Sequence, residues 1–266
     1  MDTRLRVLVT GSSKGIGRQI ALCFGRRQAR VAVNGRDADH LRRAVESLRA
    51  EGIEAHPVQG DITDPRQAAA IVDGAAEALG GLDVLVNNAG LAMRGRFDAV
   101  EPEVWSKVVT TNILGTAFVT RAAIPFITAS RGSIVVISSL VGIWGFPLVS
   151  AYSASKMALN GMVESIRAEL HGSRVHLGLL YAGLTQNDDD KHILDTDGSP
   201  LPLAARTGGM PQSSVAAAAY RMVRRRRKAM VLTPGGWVIA ALAVVAPWLI
   251  RVFLTLIPGK INETAK

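Results

Sequence analysis

"VLVTGSSKGIG", residues 7–17, joins a continuous apolar run to three glycines and then to the start of a helical pattern. An unbroken Val/Leu run of this kind marks a strand buried on both faces. Gly11, Gly15 and Gly17 mark a tight turn into a helix whose first N–H groups face whatever lies in front of them. The same rhythm repeats outward: "ARVAVNG", "AHPVQGD", "LDVLVNNAG", "GSIVVISS" and "RVHLGLLYAG" read as further strands. Helices are predicted between them over 15–27, 37–51, 65–79, 102–127 and 151–171. "SSVAAAAYRMVRRRR" and "KAMVLTP" supply a last helix and strand. Parallel strands need helical crossovers, so the expectation is an α/β fold. It is a doubly wound parallel sheet in a single domain over residues 1–233, followed by an apolar tail over 234–266.

A chain of 266 residues with 48% hydrophobic and 20% charged side chains has enough apolar surface for a full core. Its one cysteine, Cys23, excludes an internal disulfide and fits a reducing compartment. The first residues run from charged positions straight into the first strand, so no secretory signal is expected and a cytoplasmic catalytic domain is. The net charge of +9 would suit nucleic acid or an anionic membrane. However, the arginines of "DHLRRAVESLRAEG" read as a solvated helix face and no aromatic-rich basic groove appears, so no nucleic-acid partner is expected.

The glycine spacing, G-x-x-x-G-x-G, fits a turn that lets the backbone approach a pyrophosphate, although a plain strand-to-helix turn would also use it. At the end of the second strand, folds that prefer NAD usually place a carboxylate for the ribose 2′-OH. This chain has Gly35 and then Arg36, with Lys14 in the glycine turn; Asp37 reads as the N-cap of the next helix. Two cations and no carboxylate favour the 2′-phosphate of NADP(H), the alternative being two solvated surface charges.

"TGSSKGIG" (10–17), "NNAG" (87–90), Asn112 in "TTNILG", Ser139 in "VVISS" and "YSASK" (152–156) occur in order along this rhythm. Together they resemble the short-chain dehydrogenase/reductase family over residues 5–233. The resemblance implies a catalytic tetrad of Asn112, Ser139, Tyr152 and Lys156 and no metal. It also implies cofactor contacts from Gly11, Ser13, Lys14, Gly15, Ile16, Gly17, Arg36, Asp61, Ile62, Asn88, Ala89, Gly90, Tyr152, Lys156 and Gly183. In this reading a carbonyl is reduced, or an alcohol oxidised, by hydride transfer. Ser139 polarises the oxygen, Tyr152 exchanges the proton, and Asn112 holds a water that links Lys156 to solvent. A lysine ammonium one helical turn from a phenol, with a positive nicotinamide nearby, is expected to lower the phenol pKa from its ordinary value near ~10. Each residue also has a plainer role open to it: Asn88 pinning strands, Asn112 bending its helix, Ser139 capping a strand end. The family's Pro-Gly after the sixth strand is Ala182-Gly183 here, and either Thr185 or Asn187 is expected to meet the nicotinamide amide.

Residues 184–211 break the rhythm and are expected to form a loop that closes over the nicotinamide, bringing Ile193, Leu194, Leu201 and Leu203. "GWVIAALAVVAPWLIRVFLTLIPG", 236–259, is interrupted by Pro247 and Arg251. Three readings stay open for it: packing on the protein, lying in a membrane interface, or anchoring the chain as a span. "RRRRK", 224–228, just upstream, either meets anionic headgroups or complements the end of its helix. The tail suggests a hydrophobic substrate. Family members with apolar C-terminal segments that reduce long-chain keto-lipids, including 3-ketosphinganine, supply the analogy. The alternatives are a soluble 3-oxoacyl-thioester reductase, a non-catalytic NADP(H)-sensing protein, and a membrane scaffold. The resemblance further implies a homodimer or homotetramer, paired through the helices over 102–127 and 151–171.

Overall fold

The structure is a computed structural model, described here for residues 4–188, 191–203 and 208–255. Strands β1 (Arg6–Val9), β2 (Arg30–Gly35), β3 (Ala55–Gln59), β4 (Val84–Asn87), β5 (Ser133–Ser139) and β6 (His176–Ala182) form one parallel sheet together with a later strand, Ala229–Val231. The order is β3-β2-β1-β4-β5-β6 with that last strand at the edge, so the chain winds outward from β1 in both directions. This is the doubly wound sheet the sequence predicts.

Successive side chains on a strand face opposite ways, and the apolar runs use both faces. Val7 and Val9 of β1, Val31 and Val33 of β2, and Val135 and Ile137 of β5 enter one core with α1 (Gly15–Gly25) and α2 (Ala38–Ala50). Leu8, Ala32, Ile134 and Val136 enter the other with α3 (Pro65–Leu79). Local signals set the helix starts. Asp37 accepts from the His40 N–H at 2.7 Å, the N-cap role expected of it, and Asp64 accepts from the Arg66 and Gln67 N–H groups ahead of α3. On α2, Arg42 pairs with Asp39 and Glu46 on the solvated face.

The helix expected over 102–127 is two helices, α4 (Pro102–Val109) and α5 (Thr116–Ser130), joined without a break by a wide π-helical turn, Thr110–Gly115. Its 29 residues are long and apolar enough to cross a membrane, yet Val119, Ala123 and Ile127 belong to the core beneath the sheet. Helix α6 (Ser150–Glu169) follows, with Leu159 and Val163 in the same core.

The irregular segment expected over 184–211 contains a short antiparallel ribbon, β7 (His192–Leu194) and β8 (Pro200–Pro202). Three-residue strands, one bounded by prolines, give too little alternation to read from sequence. The turn between them passes through Gly198 at φ +83°. Helix α7 (Gln212–Arg225) leads to β9 (Ala229–Val231), and then α8 (Pro234–Val245) and α9 (Pro247–Thr255) follow, their axes turned by 118°. Residues 256–259 of the apolar stretch lie outside the described residues.

The basic run 224–228 sits where β9 enters the sheet. Arg226 is the left-handed C-cap of α7, and its guanidinium donates to the carbonyls of Arg131 and Arg174, which lead into β5 and β6. Helix α8 begins at the other edge, where the strands end.

Candidate active site

Four residues from three elements converge at the carboxyl ends of β4, β5 and β6. Ser139 is the last residue of β5, Tyr152 and Lys156 lie in the first turns of α6, and Asn112 lies in the π-helical turn between α4 and α5. The Tyr152 hydroxyl stands beside the Ser139 side chain, close enough for Ser139 to favour its phenolate. Buried Lys156 donates from Nζ to the Ile137 carbonyl at 2.9 Å, and its Nζ stands 5.8 Å from the centre of the Tyr152 ring. The spacing of four between Tyr152 and Lys156 therefore puts both on the inner face of one helix, as the sequence predicts.

Asn112 is fully buried and its amide is committed. Oδ1 accepts from the Leu91 N–H at 2.7 Å, and Nδ2 donates to the Leu91 carbonyl at 2.8 Å and to Ser155 Oγ at 2.9 Å. Both amide protons are thus used, so a water reaching this side chain meets only the remaining lone pair of Oδ1. What Asn112 does here is clamp the strand end after β4 to α6. A Cβ on Gly90 would stand 3.1 Å from Asn112 Oδ1 and 3.6 Å from Lys156 Nζ, so glycine at 90 leaves these two polar atoms facing shared space. Ile62 supports the same corner, since a Cβ on Gly115 in the π-helical turn would come within 2.7 Å of its side chain.

Burial acts on both ionisable groups. It pushes the Lys156 ammonium down to about 8. It raises the Tyr152 phenol above its ordinary value, opposed by the neighbouring Ser139 side chain. The lowered phenol pKa expected from sequence is therefore not produced by the chain's own groups.

At the other end of the cleft, Gly11 and Gly15 adopt φ of +58° and +61°, which an L side chain rarely takes. A Cβ on Gly17 would stand 2.3 Å from the Gly11 carbonyl oxygen, and one on Gly11 would stand 2.8 Å from Ala89 Cα. Asn88 secures this turn: Nδ2 donates to the carbonyls of Thr10 and Gly11, and its N–H, like that of Ala89, donates to Thr10 Oγ1. The plainer role for Asn88, pinning neighbouring strands, is the one its side chain performs. Ile16, the residue between the last two glycines, packs against the core around α1.

A Cβ on Gly35 would come within 3.1 Å of Ser13 Cβ and Oγ, so an acidic side chain there would press on the glycine turn. Arg36 is 62% exposed and reaches Asp61 Oδ2 at 3.3 Å across a cavity of about 370 Å³ that Gln59 also lines. Burial would raise the Asp61 carboxyl, but hydrogen bonds from the Thr63 N–H and hydroxyl and the pairing with Arg36 hold it below its ordinary value. Lys14 lines a second cavity, of about 260 Å³, with Arg18, His40 and Arg43.

The segment after β6 closes over the glycine turn, a contact that sequence reasoning missed. Asp188 Oδ2 lies 3.5 Å from where a Cβ on Gly15 would be, and Gln212 Nε2, from the start of α7, holds Asp188 Oδ1 at 2.9 Å. No local motif marks either residue; only the approach of α7 to α1 brings them there. Thr185 Oγ1 donates to the Gly183 carbonyl at 3.0 Å, whereas the buried Asn187 Nδ2 has no partner among the described residues. Of the two residues left open by sequence, Asn187 has the donor to offer. Leu194 of β7 joins Met93, Ala151 and Tyr152 in an apolar cluster beside the phenol, with Ile193 also buried. Leu201, opposite Ile193 in the ribbon, and Leu203 stay partly exposed.

This arrangement can be compared with known proteins. The short chain dehydrogenase family model matches residues 6–197. The chain belongs to the short-chain dehydrogenase/reductase family of oxidoreductases. It is 32% identical over 216 residues to dehydrogenase/reductase SDR family member 7B of Bos taurus, covering 79% of this chain and 66% of that protein. It is 33% identical over 218 residues to 11-beta-hydroxysteroid dehydrogenase 1A of Arabidopsis thaliana, covering 76% and 62% respectively. The chain thus spans less than two thirds of the length of these curated relatives. A short-chain dehydrogenase/reductase from Burkholderia phymatum, solved in complex with NAD, shares the fold with a TM-score of 0.81 at 24% identity, covering 95% of this chain and 96% of that one.

Proposed function

We propose that this short-chain dehydrogenase/reductase is an NADP(H)-dependent enzyme that reduces the ketone of a hydrophobic, long-chain lipid-like substrate to a secondary alcohol. The observation that carries the reading is the Tyr152 phenol beside the Ser139 side chain, with Lys156 buried one turn along the same helix face.

The site fits a dinucleotide. The glycine turn forms a cradle that a Cβ at Gly11, Gly15 or Gly17 would strain or fill, and Asn187 Nδ2, next in the chain to the Asp188 that faces Gly15, has no partner among the described residues. Lys14 and Arg36 would hold the 2′-phosphate, and Gly35 leaves no carboxylate to compete with it. When bound, the reduced nicotinamide supplies the hydride. Ser139 donates a hydrogen bond to the substrate oxygen, and Tyr152 gives that oxygen its proton. A raised phenol pKa suits a proton donor, because the proton stays on Tyr152 until the oxygen becomes basic. Lys156, whose ammonium titrates at about 8, returns a proton to the Tyr152 phenolate and takes one back from solvent. The apolar cluster around Met93, Leu194 and Tyr152 supports a hydrophobic substrate, as does the name of the hydroxysteroid dehydrogenase relative.

The test is NADPH oxidation against ketones graded by chain length, using the wild-type chain and Tyr152→Phe. Turnover should rise with chain length and fall by about 10²- to 10⁴-fold in the variant, while NADPH still binds. Unchanged turnover in the variant overturns the assignment of Tyr152. NADPH binding with no turnover of any ketone supports a cofactor-sensing protein instead.

A further inference from the structure

Helices α8 and α9 leave an unusual amount of apolar surface bare. Trp237, Ala241, Val244 and Val245 follow the i, i+4, i+7, i+8 pattern of one helix face, and Val244 and Val245 are 83% and 81% exposed. After the 118° turn at Ala246, Trp248, Val252 and Phe253 continue the bare surface on α9 while Ile250 is buried behind them. No Asp, Glu, Lys or Arg occurs from Ala229 to Ile250, and Arg251 is the first charge on the pair. From Gly198 to Asn262 the chain has no carboxylate at all.

The root of the pair is fixed to the active site. Thr233 Oγ1 caps α8 by accepting from the Gly236 N–H at 3.1 Å. A Cβ on Gly236 would meet Leu140, the residue after Ser139, at 2.5 Å, and one on Gly183 would meet Thr233 at 2.6 Å. The bare surface therefore grows from the edge of the sheet at which Ser139 ends β5. The basic run 224–228 lies at the opposite edge, roughly 20 Å away along a seven-residue strand.

We propose that α8 and α9 lie in the plane of a lipid surface, immersed in one leaflet, and seat the catalytic edge of the sheet against it. Twelve residues of α8 reach only about 18 Å, short of the ~30 Å of a hydrocarbon core, and the sharp turn prevents the pair from acting as one straight span. The indoles of Trp237 and Trp248, near the starts of the two helices, suit the headgroup boundary, and Arg251 reaches the phosphates from the rim. A stretch free of carboxylates meets anionic headgroups without repulsion. A protein partner over so large a face would be expected to meet some charge within it, whereas a bilayer needs none.

The test is co-sedimentation of the full chain with vesicles of phosphatidylcholine alone and of equal parts phosphatidylcholine and phosphatidylserine. The wild-type chain should pellet with both and more strongly with the anionic vesicles. Val245→Glu combined with Phe253→Glu should remain in the supernatant, and Arg224→Ala combined with Arg225→Ala, at the far edge, should pellet like the wild type. Circular dichroism and NADPH binding establish that the variants are folded. A wild-type chain that stays soluble with both vesicles overturns the proposal, as does loss of binding in the arginine variant alone. If the glutamate variant instead converts a dimer to a monomer in vesicle-free sedimentation, the face is a contact between copies of this chain and the proposal is overturned. Vesicle binding is read without turnover, so its failure and the failure of the ketone reductase reading are distinguishable.

Discussion

Lys156 Nζ donates to the Ile137 carbonyl at 2.9 Å while standing 5.8 Å from the centre of the Tyr152 ring. The lysine is thus tied to the strand beneath the site, and burial holds its pKa down to about 8. In the unfolded chain the same group titrates near 10.5, so between about 8 and 10.5 the unfolded state binds more protons than the native one. Lys156 alone therefore makes the protein more stable as pH rises through that window, and it opposes folding at neutral pH by about 3 kcal/mol. Lys156→Met should flatten this rise in urea denaturation and leave the cofactor-free chain at least as stable at neutral pH, while abolishing turnover. A variant that loses stability at neutral pH would show that the bond to Ile137 outweighs the buried charge.

The exposed pair of Arg36 with Asp61 contributes little to stability, so Arg36 is free to re-aim. Arg36→Ala should weaken NADPH binding by about ten- to hundred-fold and leave NADH binding unchanged, as expected for loss of charged hydrogen bonds to a phosphate. Equal losses for the two cofactors, measured by fluorescence titration, would remove the case for NADP(H).

Asp188 places a negative charge against the glycine turn, where a pyrophosphate would also bring negative charge. Asp188→Asn keeps the shape, and Gln212 can still meet its side-chain oxygen. NADPH affinity should rise by about 3- to 10-fold at low salt, with a smaller gain at high salt. Weaker binding in the variant would mean that Asp188 helps to hold the cofactor.

Asn187 Nδ2 is buried without a partner among the described residues, an arrangement that costs the empty protein free energy. Asn187→Ala should leave the melting temperature of the cofactor-free chain unchanged or raised while weakening NADPH binding by about 1–3 kcal/mol. A fall in melting temperature with intact binding would assign Asn187 to the fold alone.

The strands of the main sheet, the glycine turn, the cap at Asp37 and the four-residue spacing of Tyr152 and Lys156 were legible in the sequence. Each is a local matter: side-chain alternation, backbone freedom at glycine, a carboxylate reaching N–H groups two or three residues on, and the helical period. The commitment of Asn112 to Leu91 and Ser155 was not legible, because it depends on a π-helical turn meeting a strand end and a second helix. Nor was the placing of Asp188 over Gly15, which depends on α7 packing on α1. The direction of the Tyr152 shift came from burial, which no run of residues records. "RRRRK" and the apolar stretch after it adjoin in sequence yet stand at opposite edges of the sheet, because an extended strand runs between them. Sequence determined the elements and the chemistry available to them, since these follow from contacts within a turn or two. Only the tertiary structure decided which of those groups meet, what water they lose and which edge the apolar helices share, since these depend on contacts between residues far apart in the chain.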